Sequence, residues 1–149
     1  MSALRQHLDD SVKAAMRAGD KARLGVLRQL TAALKQREID ERITLDDADV
    51  VAILDKQAKQ RRESIEQFGK ADRSDLVDIE QAELEIIREF LPQALSDTEL
   101  DALIAEAIES TGASSMQDMG KVMGLLKPQV TGRADMGALS ATVRARLTG

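Results

Sequence analysis

The sequence predicts an all-α fold, with an N-terminal bundle of about four helices followed by a small three-helix bundle. Three observations carry this expectation. Apolar residues recur at three- and four-residue spacing nearly from end to end. Ala and Leu are the commonest residues, while β-branched and aromatic residues are sparse. Only two prolines interrupt 149 residues. That length suffices for one or two domains with a real core.

Taken in order, Leu4, Leu8, Val12, Ala15 and Met16 mark a first helix that stops at Gly19-Asp20. Leu24, Leu27, Leu30 and Leu34 mark a second. Thr44 with Asp47 is a weak capping box opening a third, from Leu45 to Phe68, with Gly69 suited to its C′ position. Ser74 is placed to cap a fourth helix carrying Leu76, Ile79, Ile87, Phe90 and Leu91, which Pro92 ends. Residues 1–91 form the expected N-terminal bundle and 92–149 the C-terminal one, with Pro92–Leu95 as the expected hinge.

Leu95-Ser96-Asp97-Thr98-Glu99-Leu100 is a complete helix-start signature. Ser96 is the N-cap, Glu99 closes the box, and Leu95 and Leu100 form the staple. The fifth helix runs through Leu103, Ile104, Ala107 and Ile108 to Gly112. Ser115 with Asp118 predicts a sixth, bearing Met119, Val122, Met123 and Leu126 and stopping near Pro128. Asp135 is placed to cap a seventh, with Leu139, Val143 and Leu147 on its apolar face.

Composition removes much chemistry. There is no Cys, no Trp, no Tyr, one His and two Phe. A disulfide framework, a thiolate nucleophile and a Cys-based metal site are excluded. So is an aromatic platform for single-stranded bases. His7 lies off its helix's apolar stripe and reads as a solvated surface residue. The acids between Glu38 and Asp49 lack EF-hand spacing, so no metal or other cofactor is expected. No apolar stretch approaches a membrane span, and a cytoplasmic protein is expected. The net charge of −5 conceals a pattern, because residues 1–37 and 112–149 are net basic while 38–111 are strongly acidic.

Two constellations stand out. In the first bundle Arg23, Arg61, Glu80 and Glu83 fall within apolar stripes. They read as structural ion pairs between helices, with Arg23 and Arg61 meeting Glu80 and Glu83. The rival reading is an acid/base pair with a positioned counter-charge. In the second bundle Gly120 and Gly124 stand four apart inside one helix, where each costs roughly 1 kcal/mol relative to Ala. Either a neighbouring helix packs onto the bare stripe, or a sugar–phosphate backbone approaches it with Lys121, Lys127 and Arg133 as phosphate partners. The methionines Met116, Met119 and Met123 read as core.

The run Asp118-Met119-Gly120-Lys121-Val122-Met123-Gly124, then Pro128, then Gly132-Arg133-Ala134-Asp135, resembles the GatB tail domain of the aspartyl/glutamyl-tRNA amidotransferase. It is still more similar to the YqeY-like proteins of the GatB/YqeY family. Arg23-Leu24-Gly25-Val26-Leu27-Arg28, Lys59-Gln60-Arg61-Arg62-Glu63-Ser64 and Glu89-Phe90-Leu91-Pro92 extend the resemblance over essentially the whole chain. One departure is Met136-Gly137, where many relatives place Gly directly after Ala134-Asp135.

The resemblance implies two helical bundles, the second of a type that touches tRNA in the amidotransferase. It implies no catalytic domain, although a carbon–nitrogen ligase label, with glutamine as amido-N-donor, travels with the family. Three functions are therefore carried forward. They are a non-catalytic accessory protein binding tRNA or other structured RNA, an adaptor docking a partner protein's helix, and a participant in amide transfer.

Overall fold

A computed structural model describes residues 2–148. Seven α-helices and one 3₁₀ turn account for the regular structure, with no strand among the described residues. They are α1 (Ala3–Ala18), α2 (Lys21–Glu41), α3 (Asp47–Lys70), α4 (Ser74–Arg88), α5 (Asp97–Thr111), α6 (Met119–Val130) and α7 (Met136–Thr148). The 3₁₀ turn, Met116–Asp118, leads into α6. The chain divides into two compact units, Met1–Leu91 and Pro92–Gly149.

In the first unit α3 and α4 form an extensively packed antiparallel hairpin, α1 lies along α2, and α1 and α2 both reach α3. Leu8, Leu27, Leu30, Leu34, Val50, Leu54, Leu84 and Ile87 fill the core. The start of α1 is fastened to the start of α3. The buried Ser2 hydroxyl accepts from the Arg5 N–H and donates to the Asp47 carboxylate, which also accepts from the Leu4 N–H at 3.1 Å. These bonds, with the Ala3 N–H, hold the Asp47 carboxyl below its ordinary range, the Ser2 hydroxyl being the largest cause.

Several helix ends differ from the sequence reading. The α3 capping box is built by Asp46 and Asp49, two residues beyond Thr44 and Asp47. Asp47 is instead engaged with α1. Gly69 lies inside α3, which runs on to Lys70, and Asp72 takes the left-handed turn at φ 59°. Ser74 is the first residue of α4, and Arg73 occupies the N-cap without a capping side-chain bond, its guanidinium donating instead to the Asp75 carboxylate. Met16 and Ile79, expected on buried stripes, are 54% and 58% exposed; Ala15 and Leu84 take the core positions.

The second unit packs α6 against α5 and α7 around Ile104, Val122, Leu126, Val130, Leu139 and Val143. Ser96 and Glu99 form the expected reciprocal box on α5. Gly112 closes α5 at φ 66°, in the left-handed region where a Cβ is strained. Pro128 does not stop α6, which continues to Val130. Asp135 accepts from the Gly137 N–H at 3.1 Å at the start of α7. Met119 and Met123 pack on the core, whereas Met116 is 39% exposed and does not belong to it.

Candidate functional site

Helix α6 sorts its residues by face. At 100° per residue, Met119, Val122, Met123, Leu126 and Val130 point to the core. Gly120, Gly124 and Pro128, four residues apart, fall on the opposite side. Lys127 and Lys121 border this line on its two sides, and all five residues are exposed. A Cβ added at Gly120 or Gly124 would meet nothing within 4 Å. Among the described residues no helix packs onto the glycine stripe, which removes the intramolecular reason for two glycines in one short helix.

Pro128 accentuates the same face. It has no N–H, so it cannot serve as the helical donor to the Gly124 carbonyl. The next turn is reinforced from elsewhere. Thr131 Oγ1 donates to the Lys127 carbonyl at 2.6 Å, and Gln129 Nε2 donates to that of Leu125 at 3.1 Å. The result is a ridge of bare backbone flanked by two ammonium groups.

Electrostatics near this ridge are mixed at one end. Asp118 accepts from the Ser114 N–H at 3.1 Å, which is the main reason its carboxyl stays ionised below the ordinary range; Lys121 adds a smaller attraction. Arg133 is half-buried and occupied by the fold. Its Nε donates to the Gln93 carbonyl at 2.9 Å, and its own carbonyl accepts from the Leu95 N–H at 2.9 Å. Sequence spacing alone groups it with Lys121 and Lys127, but it serves first to hold the loop before α7 to the segment before α5.

In the first unit Arg61 and Glu83 approach to 4.0 Å across the α3–α4 hairpin, both largely buried. The Arg61 guanidinium also donates to Gln57 Oε1 at 2.6 Å and Gln29 Oε1 at 2.8 Å. Arg23 does not reach Glu80 or Glu83. It pairs with Glu89, beyond the end of α4, at 2.5 Å, and lies 5.9 Å from the centre of the Phe90 ring. A helical wheel shows which residues point inward, but not how far along α4 the end of α2 lies.

Glu80 is half-buried, and its carboxyl is pushed above the ordinary range, chiefly by desolvation and then by Glu83, with Arg61 offsetting part of the effect. His7 is exposed, yet its ring packs 5.0 Å from that of Phe90. Among the described residues no group of three or more His, Asp or Glu side chains is arranged to hold a metal ion. Nor is any helix among them long and apolar enough to cross a membrane.

These features define a class: an all-helical protein of two small units whose most distinctive surface is a glycine-and-lysine ridge on α6. Residues 5–147 match the model of the Yqey-like protein family, and the chain belongs to that family. It is 33% identical over 144 residues to "Altered inheritance of mitochondria protein 41, mitochondrial" of Lachancea thermotolerans, covering 92% of this chain and 77% of that protein. The similarly named protein of Pyrenophora tritici-repentis is 30% identical over 129 residues, covering 85% of this chain and 71% of its own length. That of Eremothecium gossypii is 38% identical over 114 residues, covering 72% and 62%.

Proposed function

We propose that this protein is a non-catalytic accessory factor whose C-terminal unit binds tRNA or another structured RNA along the outer face of α6. The observation that carries the reading is the open glycine stripe: Gly120 and Gly124 face free space between Lys121 and Lys127. Two helix-weakening residues are held where nothing described in the chain packs on them, which favours an external backbone as the visitor. The lysines offer phosphate contacts, and the bare glycine stripe lets a sugar–phosphate backbone come close to the helix. Recognition would be of shape, since the chain's two Phe side chains lie on other elements. Arg133, tied to Gln93, contributes with its remaining guanidinium donors only.

A second reading is favoured by Leu125, which is 41% exposed beside the same ridge: a partner protein's helix would gain apolar contact there. Amide transfer is less well supported. The arginine beside Glu80 and Glu83 is already engaged by Gln29, Gln57 and Glu83.

A filter-binding titration with purified tRNA separates the readings. RNA binding predicts an affinity that falls steeply with salt and weakens in a Lys121→Gln, Lys127→Gln variant. Salt-insensitive binding, or binding unchanged in that variant, overturns it.

A further inference from the structure

Helix α2 carries a second cationic feature, unused by the α6 ridge. Its core residues Val26, Leu27, Leu30 and Leu34 occupy one side. Directly opposite, at spacings of four and three, stand Lys21, Gly25, Arg28, Ala32, Lys35 and Ile39, with Arg42 following at the left-handed C-cap. All seven are exposed. The cations Lys21, Arg28, Lys35 and Arg42 recur every seventh residue, a rise of about 10.5 Å per step at 1.5 Å per residue.

Pairing distinguishes this line from its neighbours. The other two cations of α2, Arg23 and Arg37, each meet a carboxylate. Lys21, Arg28, Lys35 and Arg42 meet none among the described residues. Between the first cations stand Gly25 and Ala32, which leave the helix surface low. A Cβ at Gly25 would meet nothing within 4 Å, so the fold itself does not require glycine there. The three acids of α2 lie off the line, Asp40 beside Gln36, Glu38 against Arg5 and Glu41 against Arg37.

We propose that this outer stripe of α2 is a backbone-tracking surface for a double-helical RNA segment. An evenly spaced row of cations with small residues between them, drifting by only about 20° per step along the helix, suits an extended polyanion better than a folded acidic protein surface. No aromatic side chain on the stripe offers a base-stacking platform, which disfavours a single strand. The large apolar residues of α2 are committed to the core and Ile39 alone stands outside. That is the reverse of a helix lying in a lipid interface. The inference rests on the reading that the partner is structured RNA, but not on α6 being where it binds.

The test is a fluorescence-anisotropy titration of a short RNA duplex with the full chain across a salt series. Three variants are compared with the unaltered protein: Lys21→Gln/Arg28→Gln/Lys35→Gln on the stripe, Lys56→Gln/Lys59→Gln/Arg62→Gln on α3 as a charge-matched control, and Lys121→Gln/Lys127→Gln. Gln preserves helix propensity, and circular dichroism checks that each variant is folded. The stripe variant is expected to lose about tenfold in affinity and to reduce the salt slope by about 2 to 3, with the control near the unaltered protein.

Equal losses in the stripe and control variants overturn the inference. So does a stripe variant that binds RNA normally while losing anionic vesicles or an acidic protein. Loss confined to the Lys121/Lys127 variant overturns it and leaves the α6 reading standing. Loss confined to the stripe variant does the opposite. No binding by the unaltered chain removes both.

Discussion

Arg61 and Glu83 meet at 4.0 Å across the α3–α4 hairpin, and the same guanidinium donates to Gln29 and Gln57. Glu80, one turn before Glu83 on α4, is left with only a distant share of that positive charge. Desolvation, and after it the neighbouring Glu83 charge, makes its half-buried carboxyl hold its proton to higher pH than an ordinary glutamate.

The linkage sign follows from that raised value. Between the unfolded and the folded pKa the native state binds more protons, so this group's contribution to stability falls as pH rises through that window. Glu80→Gln, which mimics the protonated form, is expected to raise the melting temperature at pH 7. The advantage should shrink as pH falls through the folded pKa of Glu80. Thermal melts of both proteins over a pH series check this; a variant less stable at every pH would contradict it.

Ser2 caps α1 and binds Asp47 at the start of α3. Ser2→Ala is expected to cost about 1 kcal/mol from the lost cap. Asp47, whose carboxyl is lowered, acts opposite to Glu80: its contribution is present above the ordinary carboxylate range and is lost as pH falls through its folded pKa. The stability deficit of Asp47→Asn should therefore be present at pH 7 and diminish in acid, as denaturant titrations at both pH values would show.

Gly124 separates stability from binding. With free space around its missing Cβ, Gly124→Ala should stabilise the second unit by about 0.5–1 kcal/mol. Gly124→Leu, which raises the ridge, should weaken tRNA binding while the fold is retained. Paired melting and filter-binding measurements check both, and tRNA affinity unchanged in Gly124→Leu would argue against the ridge as the contact.

Arg133 is a structural residue in the first instance, through its bond to the Gln93 carbonyl. Arg133→Ala is expected to lower the melting temperature of the second unit, whereas Lys121→Ala and Lys127→Ala, both exposed, should leave it within about 0.5 kcal/mol. Melting curves of the three variants distinguish them.

Legibility in the sequence tracks how local each determinant is. The Ser96–Glu99 box and the glycine stops at Gly19 and Gly112 depend on residues within one or two turns, and they stand where the pattern puts them. The α3 start lies at Asp46 rather than Thr44 because two overlapping acid spacings compete there, and Asp47 is drawn away by Ser2. Pro128 has the chemistry of a stop, yet α6 carries it on its exposed face and continues two residues further, to Val130. The partner of Arg23 depends on the relative position of α2 and α4, which no wheel projection contains.

The candidate ridge shows the same division. The spacing of Gly120, Gly124 and the lysines is visible in the sequence, but whether a helix covers the glycines is a question of packing. The heptad of cations on α2 is present in the sequence as a net basic N-terminal segment. Its alignment opposite Leu27, Leu30 and Leu34 emerges only once the buried face is fixed.

The most direct measurement of the central claim is a titration of isotopically labelled protein with tRNA, followed by amide chemical shifts. Binding along α6 predicts saturable shifts or broadening at Gly120, Lys121, Gly124 and Lys127, which salt reverses. Unchanged α6 amides at saturating tRNA, whether or not other residues shift, would contradict it.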